Sequence, residues 1–236
     1  MEETGKNPIQ VAERLFQVIE CLAENGPMGI MDLSAELGFH KSTTHRLVTS
    51  LQYMGYIRQD EESLKYALSL KFLEIGSKIL EQTNMASLIH PSLKKLSEQT
   101  GETVHLVRRE GTEAVYIDKV ESTVSSIRMV SRVGSRIPLY CSGVGKALLA
   151  ELPDPEIEDI WNSSEITSLT PYTVTSLSDL MDRIRGVREA GYAMDDEENE
   201  EGVRCIAVSI PDYHKEPVYA LSISAPVSRM TDARIA

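Results

Sequence analysis

One window of the sequence combines positive charge with hydroxyl groups and contains no carboxylate. The window HKSTTHRLVTSLQYMGYIRQ, from His40 to Gln59, has three lysine or arginine residues, although the whole chain carries a formal net charge of −12. DNA is a dense array of phosphates, so lysine and arginine can bind a phosphate or a guanine edge, and hydroxyl groups can contact both. The window therefore favours binding to a polyanion. The alternative is a small helical bundle with an incidentally neutral face.

A second stretch, YCSGVGKAL from Tyr140 to Leu148, could bind a smaller anion. A nucleotide-binding P-loop would need glycine at position 140 and serine or threonine at position 147, where this chain has Tyr140 and Ala147. The start of a helix still offers free N–H groups and the positive end of the helix dipole, which suit a carboxylate. The sequence leaves open whether these glycines serve such a site or only a tight turn.

The spacing of the cysteines and histidines does not predict a catalytic pair, a disulfide framework or a metal site. Cys141 stands near the same helix start, where a lowered thiol pKa would favour a nucleophile. Nothing pairs it with a base, since His105 lies upstream and His214 downstream, so a buried inert thiol is the favoured interpretation. The three cysteines, Cys21, Cys141 and Cys205, are too widely separated for a disulfide framework, and the histidines lack the spacing of metal ligands. We expect no metal and no cofactor.

Two later segments are further candidates for binding. The acidic run DDEENEEG, from Asp195 to Gly202, is typical of a solvated loop, and it lacks the alternating acids and central glycine of an EF-hand. Ser222 and Ser224 alternate on one face of a predicted strand. Their hydroxyl groups could line a cavity or simply face solvent.

The N-terminal part of the chain has the pattern of three helices followed by a hairpin. Apolar residues at helical spacing indicate the first helix, at Val11, Leu15, Val18, Ile19 and Leu22. NGPMG ends it, and MDLSAELG predicts a second, shorter helix. After the third helix, YIRQ and SLKYALS indicate two short strands around a polar turn. Three helices and a two-stranded wing make a winged helix-turn-helix, whose last helix enters the DNA major groove.

The third helix is predicted from near Ser42 to Met54, with Gly55 just after its end. At about 100° per residue, its two sides differ in character. One side carries Thr44, Leu47, Val48, Leu51 and Met54, and the other carries Ser42, His45, Arg46, Thr49 and Tyr53. We expect the first side to pack against the other helices of the domain and the second side to face outward, where it can contact DNA.

The pattern changes in the second half of the chain. LSLKFLEIGSKILEQT predicts a linking helix, and LIHPSLKKLSEQTG predicts another amphipathic helix. ETVHLVRREGTEAVYIDKV then alternates with period two and predicts a hairpin that turns at Gly111. A further strand is predicted at Ser126–Val133, and helices and two C-terminal strands follow. These elements predict an α+β domain with a largely antiparallel sheet.

Length and composition fit this division. A chain of 236 residues favours two domains, and 42% hydrophobic with 25% charged residues is typical of globular proteins. No apolar run is long enough for a transmembrane helix, and MEETGKNPIQ lacks the features of a signal peptide. We expect a cytoplasmic protein without a membrane partner.

With these segments in order, the chain resembles the IclR family of bacterial transcription regulators over nearly its whole length. The resemblance rests on STTHRLVTSLQYMGYI, IPLYCSGVGKALLAEL, GYAMDDEENEEGVRCIAVSI and LSISAPVSRMTDARI. It implies a winged helix-turn-helix DNA-binding domain over residues 1–68, a linker helix over 69–85, and a GAF-like effector-binding domain over 86–236. It also implies homodimers or homotetramers on operator DNA.

The resemblance also implies site residues, carried over by motif. The DNA-binding positions are Lys41, Ser42, Thr43, Thr44, His45 and Arg46, with Thr49 on the outward face. The effector-binding positions are Met129, Gly143, Val144, Asp195, Cys205, Ser222 and Ser224. Effectors of the family are mostly small carboxylic acids, including 2-oxo acids, sugar acids and aromatic acids. Val144 stands where a smaller alanine is frequent, which would narrow the cavity.

We therefore expect a ligand-responsive transcriptional regulator and not an enzyme; a repressor is favoured, and an activator is left open. One alternative is an enzyme that uses Cys141 or Cys205 on a small acid, which turnover would reveal. The other is a GAF-like signalling module whose helical domain binds protein. That module would show no salt-dependent affinity for DNA.

Overall fold

A computed structural model describes residues 8–82, 84–122, 131–212 and 216–235. The chain divides into two compact units, residues 1–82 and residues 83–236. Met129, most of the predicted strand Ser126–Val133, and His214 lie outside the described residues. The boundaries expected for the linker helix, at residues 69 and 85, stay predictions.

The first unit consists of three helices, a hairpin and a further helix. In chain order these are α1 (Gln10–Asn25), α2 (Ile30–Glu36), α3 (Lys41–Tyr53), β1 (Ile57–Gln59), β2 (Tyr66–Leu68) and α4 (Lys71–Gln82). β1 and β2 are antiparallel, with Ile57 opposite Leu68. The winged helix-turn-helix predicted from the sequence is confirmed.

Apolar residues at helical spacing build the core of this unit. Val18 of α1, Leu33 of α2 and Leu51 of α3 are almost completely buried, and the hairpin adds Ile57 and Tyr66. Burial of each such aliphatic side chain stabilises the fold by about 1.5–3 kcal/mol. Because α3 is held from its inner side, its other side is left facing outward.

The ends of α3 differ by one residue from the prediction. The helix begins at Lys41, and His40 occupies the position before it without a side-chain capping bond, so Ser42 is not the cap. It ends at Tyr53 rather than Met54. Gly55 then takes a φ of +78°, a left-handed conformation that glycine adopts without strain.

In the part of the chain that the structure describes, the second unit combines helices with one six-stranded sheet. Its elements are α5 (Asn84–Thr100), β3 (Thr103–Glu110), β4 (Glu113–Val120), β5 (Arg136–Pro138), α6 (Gly143–Ala150), α7 (Asp154–Asn162), α8 (Leu177–Ala190), β6 (Ala193–Asp196), β7 (Val203–Ile210), β8 (Tyr219–Pro226) and α9 (Asp232–Ile235). The strand order is β5-β4-β3-β8-β7-β6, and every described pairing is antiparallel. The predicted α+β fold is confirmed.

The register of this sheet brings polar residues from distant parts of the chain together. His105 of β3 lies opposite Ser222 of β8. Ser224 of β8 lies opposite Cys205 of β7, which in turn lies opposite Asp195 of β6. Since side chains alternate between the faces of a strand, these five residues share one face of the sheet.

The helix α6 packs very closely against Leu139, in the short segment between β5 and α6. A Cβ atom placed on Gly145 would lie 2.2 Å from the carbonyl oxygen of Leu139 and 2.3 Å from its Cα. Both distances are far below van der Waals contact, so no other residue fits here without movement of the backbone. Val144 and Leu148 of α6 are buried in the apolar core of the unit.

Candidate functional sites

The outward face of α3 carries most of the residues that the sequence assigned to DNA. Lys41, Ser42, His45, Arg46 and Thr49 are exposed, and Thr43 is partly exposed. The hydroxyl of Thr49 lies 3.5 Å from Nδ1 of His45, one helical turn away. Among the described contacts, none involves the charged groups of Lys41 or Arg46. These two cations are therefore available to a ligand.

Thr44 does not belong to this face. Its side chain is fully buried, and its hydroxyl donates to the carbonyl oxygen of His40 at 3.3 Å. It lies on the same side of α3 as Leu47 and Val48, as the helical period predicted. This burial argues against a contact between its side chain and DNA, although the family motif placed Thr44 in the DNA-binding set.

The second candidate site is a cavity of about 380 Å³ in the other unit. This volume lies in the range of small-molecule pockets. The predicted effector residues other than Met129 all line it, namely Gly143, Val144, Asp195, Cys205, Ser222 and Ser224. The structure therefore brings together residues from the start of α6 and from three strands.

Several cavity residues were not singled out as binding residues from the sequence. They include His105, Tyr116, Ser131, Ser142 and Asn199. The period-two pattern of β3 and β4 could have placed His105 and Tyr116 on a sheet face. The pattern could not have shown that β3 pairs with β8, because a sequence pattern does not reveal the order of strands in a sheet. The proximity of His105 to Ser222 was therefore not predictable.

His105 connects the hydroxyl groups of the cavity. Its Nε2 lies 2.7 Å from the hydroxyl of Ser131, and its Nδ1 lies 3.4 Å from Ser222 and 3.3 Å from Ser224. Burial, together with the nearby charge of Lys119, lowers the pKa of His105 to about 3. The imidazole is therefore neutral at physiological pH, with one nitrogen that donates and one that accepts.

The two cysteines of this region are thiols rather than nucleophiles. Burial raises the pKa of Cys141 to about 12, and the charge of Asp195 adds to the shift. Burial also raises the pKa of Cys205, whose sulfur lies 2.9 Å from the Ser224 hydroxyl. The thiolate is the reactive form, so these shifts oppose the nucleophile hypothesis.

The start of α6 presents donors to the cavity. The hydroxyl of Ser142 accepts from the N–H of Gly145 at 3.1 Å and donates to the carbonyl of Pro138 at 2.6 Å. No hydrogen bond is described for the N–H groups of Gly143 and Val144, which lie at the cavity wall. Unpaired N–H groups at the positive end of a helix dipole are suited to a carboxylate.

The acidic run after β6 is anchored in the protein, contrary to the expectation of a solvated loop. The Glu198 side chain is only 3% exposed and forms an ion pair with Lys146 of α6, which is 1% exposed. The hydroxyl of Thr173 donates to the carbonyl of Glu198 at 2.6 Å. This buried pair fixes the loop against α6 beside the cavity.

Asp195 is the buried carboxyl group of the cavity wall. It is 3% exposed, and its Oδ1 accepts from the N–H of Glu198 at 2.8 Å and of Asn199 at 3.4 Å. Burial raises the pKa of Asp195 to about 7, although Lys146 and these N–H groups oppose the shift. Asp195 is therefore poised to exchange a proton near neutral pH.

The described ranges contain neither a candidate metal site nor a candidate membrane-spanning helix. No group of three or more histidine, cysteine, aspartate or glutamate side chains is arranged there to hold a metal ion. Among the described helices, none is both long and apolar enough to cross a lipid bilayer.

Models of two protein families match the chain. Residues 11–61 match the IclR helix-turn-helix domain, and residues 77–236 match the bacterial transcriptional regulator IclR C-terminal domain. The two matches contain the outward face of α3 and the cavity, respectively.

Individual proteins are similar over nearly the whole chain. The acetate operon repressor of Salmonella typhimurium strain LT2 is 37% identical over 230 residues, which cover 96% of this chain and 84% of the relative. The HTH-type transcriptional regulator XynR of Escherichia coli K12 is 38% identical over 229 residues, covering 97% and 90%. The crystal structure of Thermotoga maritima IclR is similar with a TM-score of 0.81 and 32% identity, covering 96% and 91%.

Proposed function

The chain belongs to the IclR family of bacterial transcriptional regulators, and from this premise we propose how its two sites divide the work. The outward face of α3 reads operator DNA, and the cavity of the second unit binds a small organic acid that changes DNA affinity. The observation that carries the proposal is the convergence of six assigned positions on one cavity of ligand size.

The DNA half of the proposal rests on charge and exposure. Lys41 and Arg46 are both exposed on α3, and no carboxylate occurs between Glu36 and Asp60 in the sequence. Phosphate contacts give affinity that falls with salt, and an arginine that reaches a guanine edge adds sequence preference. We propose that Ser42, Thr43, His45 and Thr49 support these two cations by contacting phosphates or bases.

The effector half rests on the donors of the cavity. The free N–H groups of Gly143 and Val144 bind the carboxylate of the ligand, and the hydroxyls of Ser222 and Ser224 orient the rest of it. Met129 remains a predicted member of this set. Several acids offer the same carboxylate, so we propose the class and not one compound.

The regulatory step requires that the ligand bind the DNA-competent and DNA-incompetent states with unequal affinity. We propose that the chain acts as a homodimer or homotetramer in the cytoplasm and represses transcription, as the acetate operon repressor does by its name. Residues 1–68 would read DNA, 69–85 would link, and 86–236 would form the GAF-like sensor. A two-fold dimer reads half-sites about 34 Å apart, or a multiple of this.

The test is fluorescence anisotropy of the protein on DNA from upstream of its own gene. Titrations are made with and without a panel of 2-oxo, sugar and aromatic acids, with random DNA as competitor. We expect binding that resists the competitor, weakens with salt, and changes with at least one acid. Binding no tighter than to random DNA, at several candidate operators, would contradict the DNA half. Unchanged affinity with every acid would contradict the effector half.

Substitutions separate the two halves. Ser222→Ala with Ser224→Ala should leave DNA affinity intact and weaken the response to the acid, because the hydroxyls lie in the cavity and not on α3. Equal loss of both properties would indicate misfolding. Circular dichroism of the double variant distinguishes these outcomes.

A further inference from the structure

The charged side chains of the cavity wall are unfavourable for binding an anion. Two acids, Asp195 and Glu200, are among the described residues of its wall. The one described lysine or arginine in the wall is Arg136, whose guanidinium already pairs with Glu110 and Glu113. Within the described part of the wall, a ligand carboxylate therefore meets negative charge without a free cation to offset it.

The conflict is sharpest at the start of α6. A Cβ atom placed on Gly143 would lie 3.5 Å from the Cβ of Asp195 and 3.5 Å from its backbone nitrogen. The N–H groups that suit a ligand carboxylate therefore lie beside the Asp195 side chain. Two ionised carboxylates at such a site repel each other strongly, and one of them must take up a proton.

Among the residues that the structure describes, no unpaired cation lies near Asp195 to neutralise a second carboxylate. Lys146 of α6 is the nearby cation, and its ammonium group is already paired with Glu198. Besides Arg136, the described titratable groups that act on Asp195 or share its cavity are Glu198 and Glu200 of the following loop, Cys205 of β7, Cys141 before α6, Tyr116 of β4 and His105 of β3. His105 is neutral, and burial keeps the thiols and the phenol protonated.

We propose that Asp195 is a specificity-determining residue that lets this cavity accept an organic acid by taking up one proton. In the complex, the protonated carboxyl donates a hydrogen bond from Oδ2 to the ligand carboxylate, while Oδ1 keeps its bonds to the loop. The proton comes from solvent, and no bond to carbon changes. This inference rests on the proposed role of the cavity as the effector site.

The geometry allows this arrangement. Both described hydrogen bonds of Asp195 go to Oδ1, so Oδ2 has no described partner and its carboxyl lies at the cavity wall. Burial already raises the pKa of Asp195 to about 7, and an adjacent ligand carboxylate raises it further. The free protein is protonated below about pH 7 and ionised above it, whereas the complex stays protonated.

Acid binding is therefore coupled to pH. Above about pH 7 the dissociation constant should rise toward about tenfold per pH unit, because each binding event must take a proton from solvent. Well below pH 7 it should be nearly constant, since Asp195 already carries the proton. Between about pH 6 and about pH 8 the total change is about tenfold.

The test is isothermal titration calorimetry with pyruvate, gluconate and benzoate as probes, at about pH 6 and about pH 8. The wild-type protein is compared with Asp195→Asn, which cannot ionise, and with Asp159→Asn as a matched control. Asp159 is an exposed aspartate of α7. We expect a tenfold weaker affinity at the higher pH for wild type and Asp159→Asn, and no pH dependence for Asp195→Asn. A flat wild-type profile, or a dependence that survives in Asp195→Asn, overturns the proposal.

A measurement without ligand keeps this inference separate from the proposed function. The carboxyl ¹³C resonance of Asp195 in aspartate-labelled protein, assigned by its loss in Asp195→Asn, should titrate near pH 7. If none of the acids binds, the effector role fails and this titration alone decides the protonation of Asp195. A titration complete below about pH 5, as for an ordinary aspartate, overturns the inference.

Discussion

The outward face of α3 and the cavity of the second unit both present polar side chains, but they hold them in opposite ways. On α3, Lys41 and Arg46 are exposed, and their charged groups have no described partner. In the cavity, Asp195, Ser222 and Ser224 are at most 4% exposed, and each has a described hydrogen bond. The exposed side chains of α3 can change conformation to fit a ligand, whereas hydrogen bonds hold the side chains of the cavity in place without one.

This difference predicts how each site responds to substitution. An exposed charge contributes little to stability, so its loss should affect binding alone. A buried polar group that loses its partner keeps the full cost of its desolvation, so its loss should affect the fold as well. The substitutions below test this contrast, from the largest expected effect to the smallest.

Gly145→Ala should cause the largest loss, because the new Cβ would lie 2.2 Å from the Leu139 carbonyl oxygen. The backbone of α6 would have to move, and we expect the free energy of unfolding of the second unit to fall by at least about 4 kcal/mol. Thermal unfolding followed by circular dichroism measures this change. A melting temperature within a few degrees of wild type would show that α6 and the Leu139 backbone can move apart at little cost.

Gly186→Ala is the matched control for this substitution. Gly186 is exposed within α8, and a Cβ atom there would meet nothing within 4 Å. Alanine is the better helix former by about 1 kcal/mol, so this variant should be slightly more stable than wild type. A loss in both variants would mean that the unit tolerates no change at glycine, whatever the space.

Lys146→Met should come next, because it leaves the carboxylate of Glu198 buried without its partner. Removal of one member of a buried ion pair costs about 3–5 kcal/mol. Urea denaturation measures the change. The double variant Lys146→Met with Glu198→Gln removes both charges and should recover a large part of the loss. If the single variant loses less than about 1 kcal/mol, the pair does not anchor the loop.

Arg46→Ala should weaken operator binding by about 1–3 kcal/mol if the side chain makes a bidentate base contact. Its melting temperature should stay that of wild type, because Arg46 has no described contact. Arg183→Ala, which removes an exposed arginine of α8, is the control and should change neither property. Unchanged affinity for Arg46→Ala would remove this residue from the proposed reading face.

Thr44→Val should give the smallest effect. It tests whether Thr44, a buried residue of the DNA-binding helix α3, contributes to stability alone or also to DNA binding. Valine has the same shape but cannot donate to the His40 carbonyl, so stability should fall by about 1 kcal/mol. Operator affinity, measured by anisotropy at a temperature where both proteins are folded, should not change. A large loss of affinity with a small loss of stability would return Thr44 to the DNA-binding set.

The sequence predicted the local features well and the three-dimensional ones poorly. The two sides of α3 follow from the helical period, which placed Thr44 inward even though the family motif had placed it on DNA. The ion pair of Lys146 and Glu198 joins residues 52 positions apart, so no local pattern could indicate it. The raised pKa of Asp195 is likewise a product of burial, which appears only after the sheet and α6 have met.

The strand order of the sheet also determines at what stage of synthesis and folding the cavity can form. His105 and Ser222 meet in the cavity although they are 117 residues apart in the chain, because β3 pairs with β8. Contacts of such long separation are slow to form, since the entropy of closing the loop must be overcome first. A ribosome extends the chain from its N-terminus and therefore releases β8 after the helix-turn-helix unit and after β3 to β7. Each newly synthesised molecule can therefore complete its helix-turn-helix unit well before the walls of the cavity come together.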